Sequence, residues 1–361
     1  MKIGVLTGGG DCPGLNAVIR AVTLALQQHG ATVWGIEQGF RGLLEGRGRE
    51  LRAADVAGIL AEGGTILGTD NRCDPFAIRP EAGGEPQDRS AQALGQARKW
   101  GLDALLAIGG DGSMVIAHRF HEAGLPVVGV PKTIDNDLAL TDRTFGFDSA
   151  VAVVAEALDR LATTARSHRR VMLCETMGRY AGWIALEGGL AGAADAILLP
   201  EQPYEVAVVA AFCAAREAQG LSTLICIAEG AHAAGEGLAV RARLLGSPDP
   251  LRLGGAAERL MHALQPQLAS EVRSAVLGHT QRGGTPTAFD RVLATRFGVA
   301  AAGLVRHRRF GRMVALQGDT CVDVALADVA GRSRKVPAGH ALLCAAEALG
   351  LCLGQAARAA G

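Results

Sequence analysis

The chain has 361 residues, 49% of them apolar and 20% charged, the make-up of a folded globular protein whose length asks for two domains rather than one. Its 36 basic and 36 acidic residues cancel, which excludes a whole-protein field for nucleic acid or an anionic membrane. Eight scattered cysteines form no Cys-x-x-Cys pair and no apolar run reaches the roughly 18 residues of a membrane span, so a disulfide scaffold, a zinc site and a transmembrane segment are disfavoured.

The sequence opens directly on a strand, Lys2–Thr7, with no charged-then-apolar leader, and a cytoplasmic protein is expected. Pro13–Gln28 reads as a helix, with Leu15, Val18, Ile19, Val22 and Leu26 on one face. A strand at Thr32–Glu37 follows, then a helix at Ser90–Trp100 with Ser90 as its cap, and strands at Ala104–Ile108 and Val127–Val130. Beyond a domain break expected near Phe147 come a helix at Ser149–Thr163 and strands at Val171–Glu175 and Ala196–Leu199. A helix at Val206–Gln219, a strand at Leu224–Ala228, a helix at Leu253–Leu264 and a strand at Ser274–Leu277 complete the series. Short aliphatic runs alternating with helices predict an α/β fold with parallel sheets. Most of these strands end in glycine or an acid, where the ligand crevice of an open parallel sheet lies.

Three constellations carry chemistry. Gly8-Gly9-Gly10-Asp11-Cys12-Pro13-Gly14 joins a strand to a helix, where bare amides bind phosphate; a tight turn would need the same glycines. Gly109-Gly110-Asp111-Gly112-Ser113 ends an aliphatic strand in an acid suited to Mg²⁺, with amides for nucleotide phosphates. In Pro131-Lys132-Thr133-Ile134-Asp135-Asn136-Asp137, two carboxylates two apart in extended chain share a face. One can take a hydroxyl proton, and Lys132 supplies charge for a transferring phosphate. A basic set, Arg169-Arg170, Met177-Gly178-Arg179 and Gly278-His279-Thr280-Gln281-Arg282-Gly283-Gly284, stands at strand ends where guanidinium forks can read phosphate oxygens.

Together the runs Gly4–Arg20, Gly64–Arg72, Gly101–Ser113, Gly129–Asp137, Ser167–Gly182, Ile227–Gly230 and Val276–Gly284 resemble the phosphofructokinase family in order and spacing, over nearly the whole chain. The resemblance implies two similar three-layer α/β domains with mostly parallel sheets and the active site in the interdomain cleft. A phosphate-donor domain would comprise 1–147 with 281–331, and a sugar-phosphate domain 148–280 with 332–361. It implies phosphorylation of O1 of fructose 6-phosphate to fructose 1,6-bisphosphate. By motif, Asp135 is the base, Asp111 the Mg²⁺ ligand, and Asp137, Lys132 and Thr133 complete the catalytic loop. Gly10, Arg72, Cys73, Gly110, Gly112 and Ser113 line the donor site. Thr133, Asp135, Met177, Gly178, Arg179 and Glu229 hold the sugar, while Arg170, Arg273, His279 and Arg282 hold its 6-phosphate. In the family the arginines matching Arg170 and Arg273 come from a neighbouring subunit, so a homodimer or homotetramer is implied.

The family uses ATP or pyrophosphate, and two positions point opposite ways. Pyrophosphate enzymes carry Asp where this chain has Gly112, which leaves room for the α-phosphate of ATP. They carry Lys where this chain has Lys132. A steric and electrostatic block outweighs an added favourable charge, and the pair resembles a mixed-donor subgroup that includes ATP users, so ATP is expected. Effector-controlled members use a basic cluster of which Arg20 and Arg52 match part, while Leu24, Ala162, Ala218 and Gly220 replace the rest, so phosphoenolpyruvate control is not expected. A non-catalytic sugar-phosphate or nucleotide sensor would not need Asp111, Asp135 and the arginines. A Rossmann oxidoreductase lacks its fingerprint here.

Overall fold

The computed structural model describes residues 1–79, 84–243 and 251–356. In chain order its strands are β1 (Lys2–Thr7), β2 (Thr32–Ile36), β3 (Gly48–Leu51), β4 (Ala104–Gly109), β5 (Val127–Pro131), β6 (Val171–Thr176), β7 (Ala196–Leu198), β8 (Thr223–Ala228), β9 (Val240–Arg243), β10 (Leu251–Leu253), β11 (Val272–Val276), β12 (Arg312–Gln317) and β13 (Thr320–Ala325). The helices are α1 (Leu15–Gln27), α2 (Gly39–Glu45), α3 (Ser90–Lys99), α4 (Asp111–Glu122), α5 (Phe147–His168), α6 (Trp183–Ala191), α7 (Val206–Ala218), α8 (Ala256–Leu264), α9 (Ala288–Arg306), α10 (Leu326–Val329) and α11 (Ala341–Ala348).

The described residues divide into two units, 1–149 with 282–334, and 150–243 with 251–281 and 335–356. The first holds a seven-stranded sheet in the order β13-β12-β5-β4-β1-β2-β3, parallel except at its two antiparallel edges, β13 and β3. Strands β4 and β5 are buried along their whole length, as a sheet covered on both faces requires. Strand β1 lies between β4 and β2, so the chain winds one way from β1 to β2 and the other way from β4 to β5. The carboxyl ends of β1 and β4 are therefore a topological switch point, where an open α/β sheet leaves its ligand crevice. The second unit has an all-parallel sheet, β11-β6-β8-β7, and the antiparallel pair β9–β10.

Four sequence expectations shift. Ser90 is the first residue of helix α3 rather than its cap: Arg89 holds the cap position, and Oδ1 of the preceding Asp88 accepts the Ser90 N–H at 2.8 Å. Helix α8 begins at Ala256, because Gly254 and Gly255 take φ of 138° and 91°, which a helix cannot continue through. Helix α5 runs from Phe147 to His168, well past Thr163. Strand β11 begins at Val272 rather than Ser274. All eight cysteines are free, and among the described residues no helix is long and apolar enough to cross a membrane.

Candidate active site

Strands β1 and β4 end side by side, with Gly8 N–H donating to Ile108 O at 2.8 Å. A Cβ at Gly109 would stand 2.2 Å from the Ser113 side chain, and one at Gly8 would stand 2.7 Å from its hydroxyl. Glycine at both strand ends is therefore what lets α4 start flush against the sheet. Asp111 and Gly112 form its first turn, with free amides and the positive end of the helix dipole.

These segments open onto a cleft of about 450 Å³ within the first unit. Of the residues expected at the site, Gly10, Cys73, Gly110, Asp111, Gly112, Ser113, Lys132, Thr133, Asp135 and Arg282 line it. Arg72 is not among the lining residues: its side chain is exposed, and only its backbone N–H is fixed, on Asp70 Oδ1 at 2.7 Å. The lining also includes Phe40, Asp70, Asp74, Val115 and Ile116, none of which was assigned a role from the sequence. Val115 and Ile116 could have been found by helical spacing, since they follow Gly112 by three and four positions and share its face.

The Asp135–Asp137 loop is not extended, contrary to the sequence expectation. Asn136 sits between them at φ 50°, a left-handed conformation that asparagine tolerates. Its buried amide fixes the turn: Oδ1 accepts the Thr144 N–H at 3.0 Å and Nδ2 donates to Asp142 O at 3.3 Å. Thr133 Oγ1 accepts the Asp135 N–H at 3.1 Å. The two carboxyls sense one another through this turn rather than across a shared strand face. Burial, and then the charge of Asp135, push the Asp137 carboxyl up to about 7.

Lys132 is buried, and its Nζ donates to Gly10 O. Burial pushes its ammonium below the ordinary lysine value, and nearby Arg282 acts in the same direction. Arg282 Nη1 donates to Asp11 O at 3.2 Å, so both cations hold carbonyls of the glycine loop. Asp111 is half-buried; burial raises its carboxyl, while the Gly331 N–H on its Oδ1, at 3.1 Å, acts the other way. Mg²⁺ keeps most of its waters and needs one or two protein carboxylates beside substrate phosphates. Asp111 at a glycine-lined cleft fits that demand, and among the described residues no cluster of three or more His, Cys, Asp or Glu offers a closed cage.

In the second unit the loops after β6 and β8 meet: Gly230 N–H donates to Gly178 O at 3.3 Å, and a Cβ at Gly230 would stand 2.0 Å from Arg179 O. Glu229 is anchored beside them by its N–H on Thr176 O at 2.8 Å. Met177 and Arg179 are partly buried, and Arg179 lies 5.7 Å over the Tyr180 ring. Gln281, fully buried, was not assigned a role from sequence. Its Oε1 accepts the Met177 N–H at 3.3 Å and its Nε2 donates to Gly278 O at 3.1 Å, so it joins the Met177 loop to the turn carrying the exposed His279. Arg170 and Arg273 both pair with Glu271 at the β11 edge.

A family model described as Phosphofructokinase matches residues 2–305. The chain belongs to the phosphofructokinase family. It is 48% identical to ATP-dependent 6-phosphofructokinase 2 of Streptomyces coelicolor, over 93% of this chain and 97% of that one. It is equally 48% identical to the pyrophosphate–fructose 6-phosphate 1-phosphotransferase of Amycolatopsis methanolica, over 93% and 96%. Among solved structures it is similar to Pichia pastoris phosphofructokinase in the T-state, with a TM-score of 0.78 and 32% identity. That match covers 91% of this chain and 35% of the longer yeast chain. A phosphofructokinase is a phosphotransferase acting on a hydroxyl. That reaction is driven by positioning and charge neutralisation, the work for which amides, carboxylates and cations at a switch point are suited.

Proposed function

We propose that this chain is a cytoplasmic ATP-dependent 6-phosphofructokinase, transferring the γ-phosphoryl of ATP to O1 of fructose 6-phosphate to give fructose 1,6-bisphosphate. Asp135 takes the O1 proton. The amides of Gly110, Gly112 and Ser113 receive donor phosphates at the start of α4. Asp111 would hold Mg²⁺, which supplies charge neutralisation between donor phosphates when bound. Lys132 and Arg282 keep the glycine loop in place beneath them. Met177, Gly178, Arg179 and Glu229 hold the sugar, and His279 its 6-phosphate. Arg170 and Arg273 act from a neighbouring copy, so the working form is a homo-oligomer.

The observation that carries the ATP reading is the open space at Gly112. A Cβ there meets nothing within 4 Å, and the cleft beside it continues along Phe40, Val115 and Ile116. Pyrophosphate has no use for an apolar extension, whereas a nucleoside does. Pyrophosphate remains the second reading because Lys132 stands where such enzymes carry a lysine, and a relative named for that donor is 48% identical. Supplying each donor with fructose 6-phosphate and Mg²⁺, and measuring fructose 1,6-bisphosphate by a coupled assay, tests the choice.

A further inference from the structure

Asp70 follows the loop Gly64–Gly68 and has no place in the chemistry described so far, yet it meets three cleft-forming segments at once. Its backbone pairs with the β1 extension as an isolated bridge to Gly8, and its carbonyl accepts the Gly9 N–H at 3.1 Å. Oδ1 accepts the backbone N–H groups of Arg72 and Cys73, both at 2.7 Å. Oδ2 accepts Nε of Arg41 at 2.8 Å, on α2, the helix that also carries Phe40. Neighbouring Thr69 supports the same join, its hydroxyl donating to Gly9 O at 2.5 Å. Gly9, Phe40 and Cys73 all line the cleft. The Asp70 side chain keeps only 15% of its exposure, while Arg41 keeps 40%.

A carboxylate on the wall of a cleft for polyphosphate would repel its ligand unless its charge were otherwise engaged. Here both oxygens are engaged, two amides on one and a guanidinium on the other, so the charge is spent on the wall itself. We infer that Asp70 is a positioning residue for the phosphoryl donor, fixing the glycine loop, α2 and the Arg72–Cys73 turn in one register so that the cleft is preformed. This rests on reading the cleft as the donor site.

The test uses Asp70→Ala, which removes every side-chain link, and Asp70→Asn, which keeps an acceptor for the two amides but loses the charge facing Arg41. With the full-length enzyme, the donor is varied at saturating fructose 6-phosphate, and then the sugar at saturating donor. Asp70→Ala is expected to raise the donor KM roughly tenfold or more, the worth of one or two lost hydrogen bonds to backbone. The sugar KM stays within about twofold, and Asp70→Asn falls between wild type and Asp70→Ala. Calorimetric titration with ATP alone should show the same weakening without any turnover. An unchanged donor KM, equal rises in both KM values, or unchanged ATP binding would overturn the inference. Wild-type enzyme that makes no bisphosphate with ATP would instead defeat the functional reading, and the same KM split measured with pyrophosphate would then decide Asp70 separately.

Discussion

The ammonium of Lys132 donates to the carbonyl oxygen of Gly10. This joins the end of β5 to the glycine loop after β1. The ammonium keeps two further N–H donors in the cleft that it lines, so the side chain can organise the donor cleft as well as face a donor. Lys132→Met, close in length and apolar, leaves Gly10 O without its donor inside a polar pocket, at about 1–3 kcal/mol. Turnover with the working donor is expected to fall at least roughly tenfold, with a lowered melting temperature. Pyrophosphate use is not expected to depend on this side chain more than ATP use does. Steady-state kinetics with both donors, beside thermal melts, checks this.

Gly112→Asp separates folding from donor choice. The position has room for a side chain and lies in the first turn of α4, where an added acid is favourable by about 0.3–1 kcal/mol. The variant should therefore melt at or slightly above the wild-type temperature. Its carboxylate would face incoming phosphates, so kcat/KM for ATP is expected to fall by about a hundredfold. Unimpaired ATP kinetics in a folded variant would remove the electrostatic basis of the donor assignment.

Asp135→Asn tests the proton acceptor. Loss of a general base costs about 10²–10⁴ in kcat, while a neutral amide of the same shape leaves the sugar KM little changed. The same variant removes the like charge that helps hold the Asp137 carboxyl up near 7. Carboxylate titration by NMR should therefore find Asp137 lowered in Asp135→Asn.

Asp290 sets a pH dependence of stability. It is fully buried at the start of α9, accepting from Ser149 N–H at 2.8 Å and Ser149 Oγ at 2.6 Å, and burial raises its carboxyl from 3.8 to about 6. An acid raised on folding binds its proton more tightly in the folded state. Its stabilising effect is full below the unfolded value and is lost as pH rises through about 6. The loss is at most about 3 kcal/mol at 1.36 kcal/mol per pH unit. Asp290→Asn keeps an acceptor for both Ser149 donors and should flatten the fall in urea stability between pH 4 and 7.

Phosphoenolpyruvate is expected not to inhibit. In the second unit, Ala162 and Gly220 line a recess whose Arg216 is already paired with Asp195 at 2.7 Å and donates to Ser222 O at 2.8 Å. Arg166 also lines the recess, but an effector phosphate would have to displace both partners of Arg216 in the presence of the Asp195 carboxylate. Velocity against fructose 6-phosphate, with and without phosphoenolpyruvate, measures this; a strong sigmoidal shift would contradict it.

Much of this was legible in the sequence because glycines, acids and aliphatic strands fall in a fixed order: Gly109 to Ser113 announces a strand end that opens a helix, and the structure builds it so. What was not legible depends on partners far along the chain. Asn136 has the left-handed turn that unites Asp135 and Asp137 only because Thr144 and Asp142 fix its amide. Asp70 fell inside the run Gly64–Arg72 with no role of its own, since its partner Arg41 lies 29 positions before it. Gln281 meets Met177 across 104 positions, a contact that no local pattern encodes.

The donor assay tests the central claim most directly. Purified enzyme with fructose 6-phosphate and Mg²⁺ is given ATP or pyrophosphate, and fructose 1,6-bisphosphate is followed. The expected result is efficient turnover with ATP and a kcat/KM for pyrophosphate at least about tenfold lower. Turnover with pyrophosphate alone would contradict the assignment drawn from Gly112.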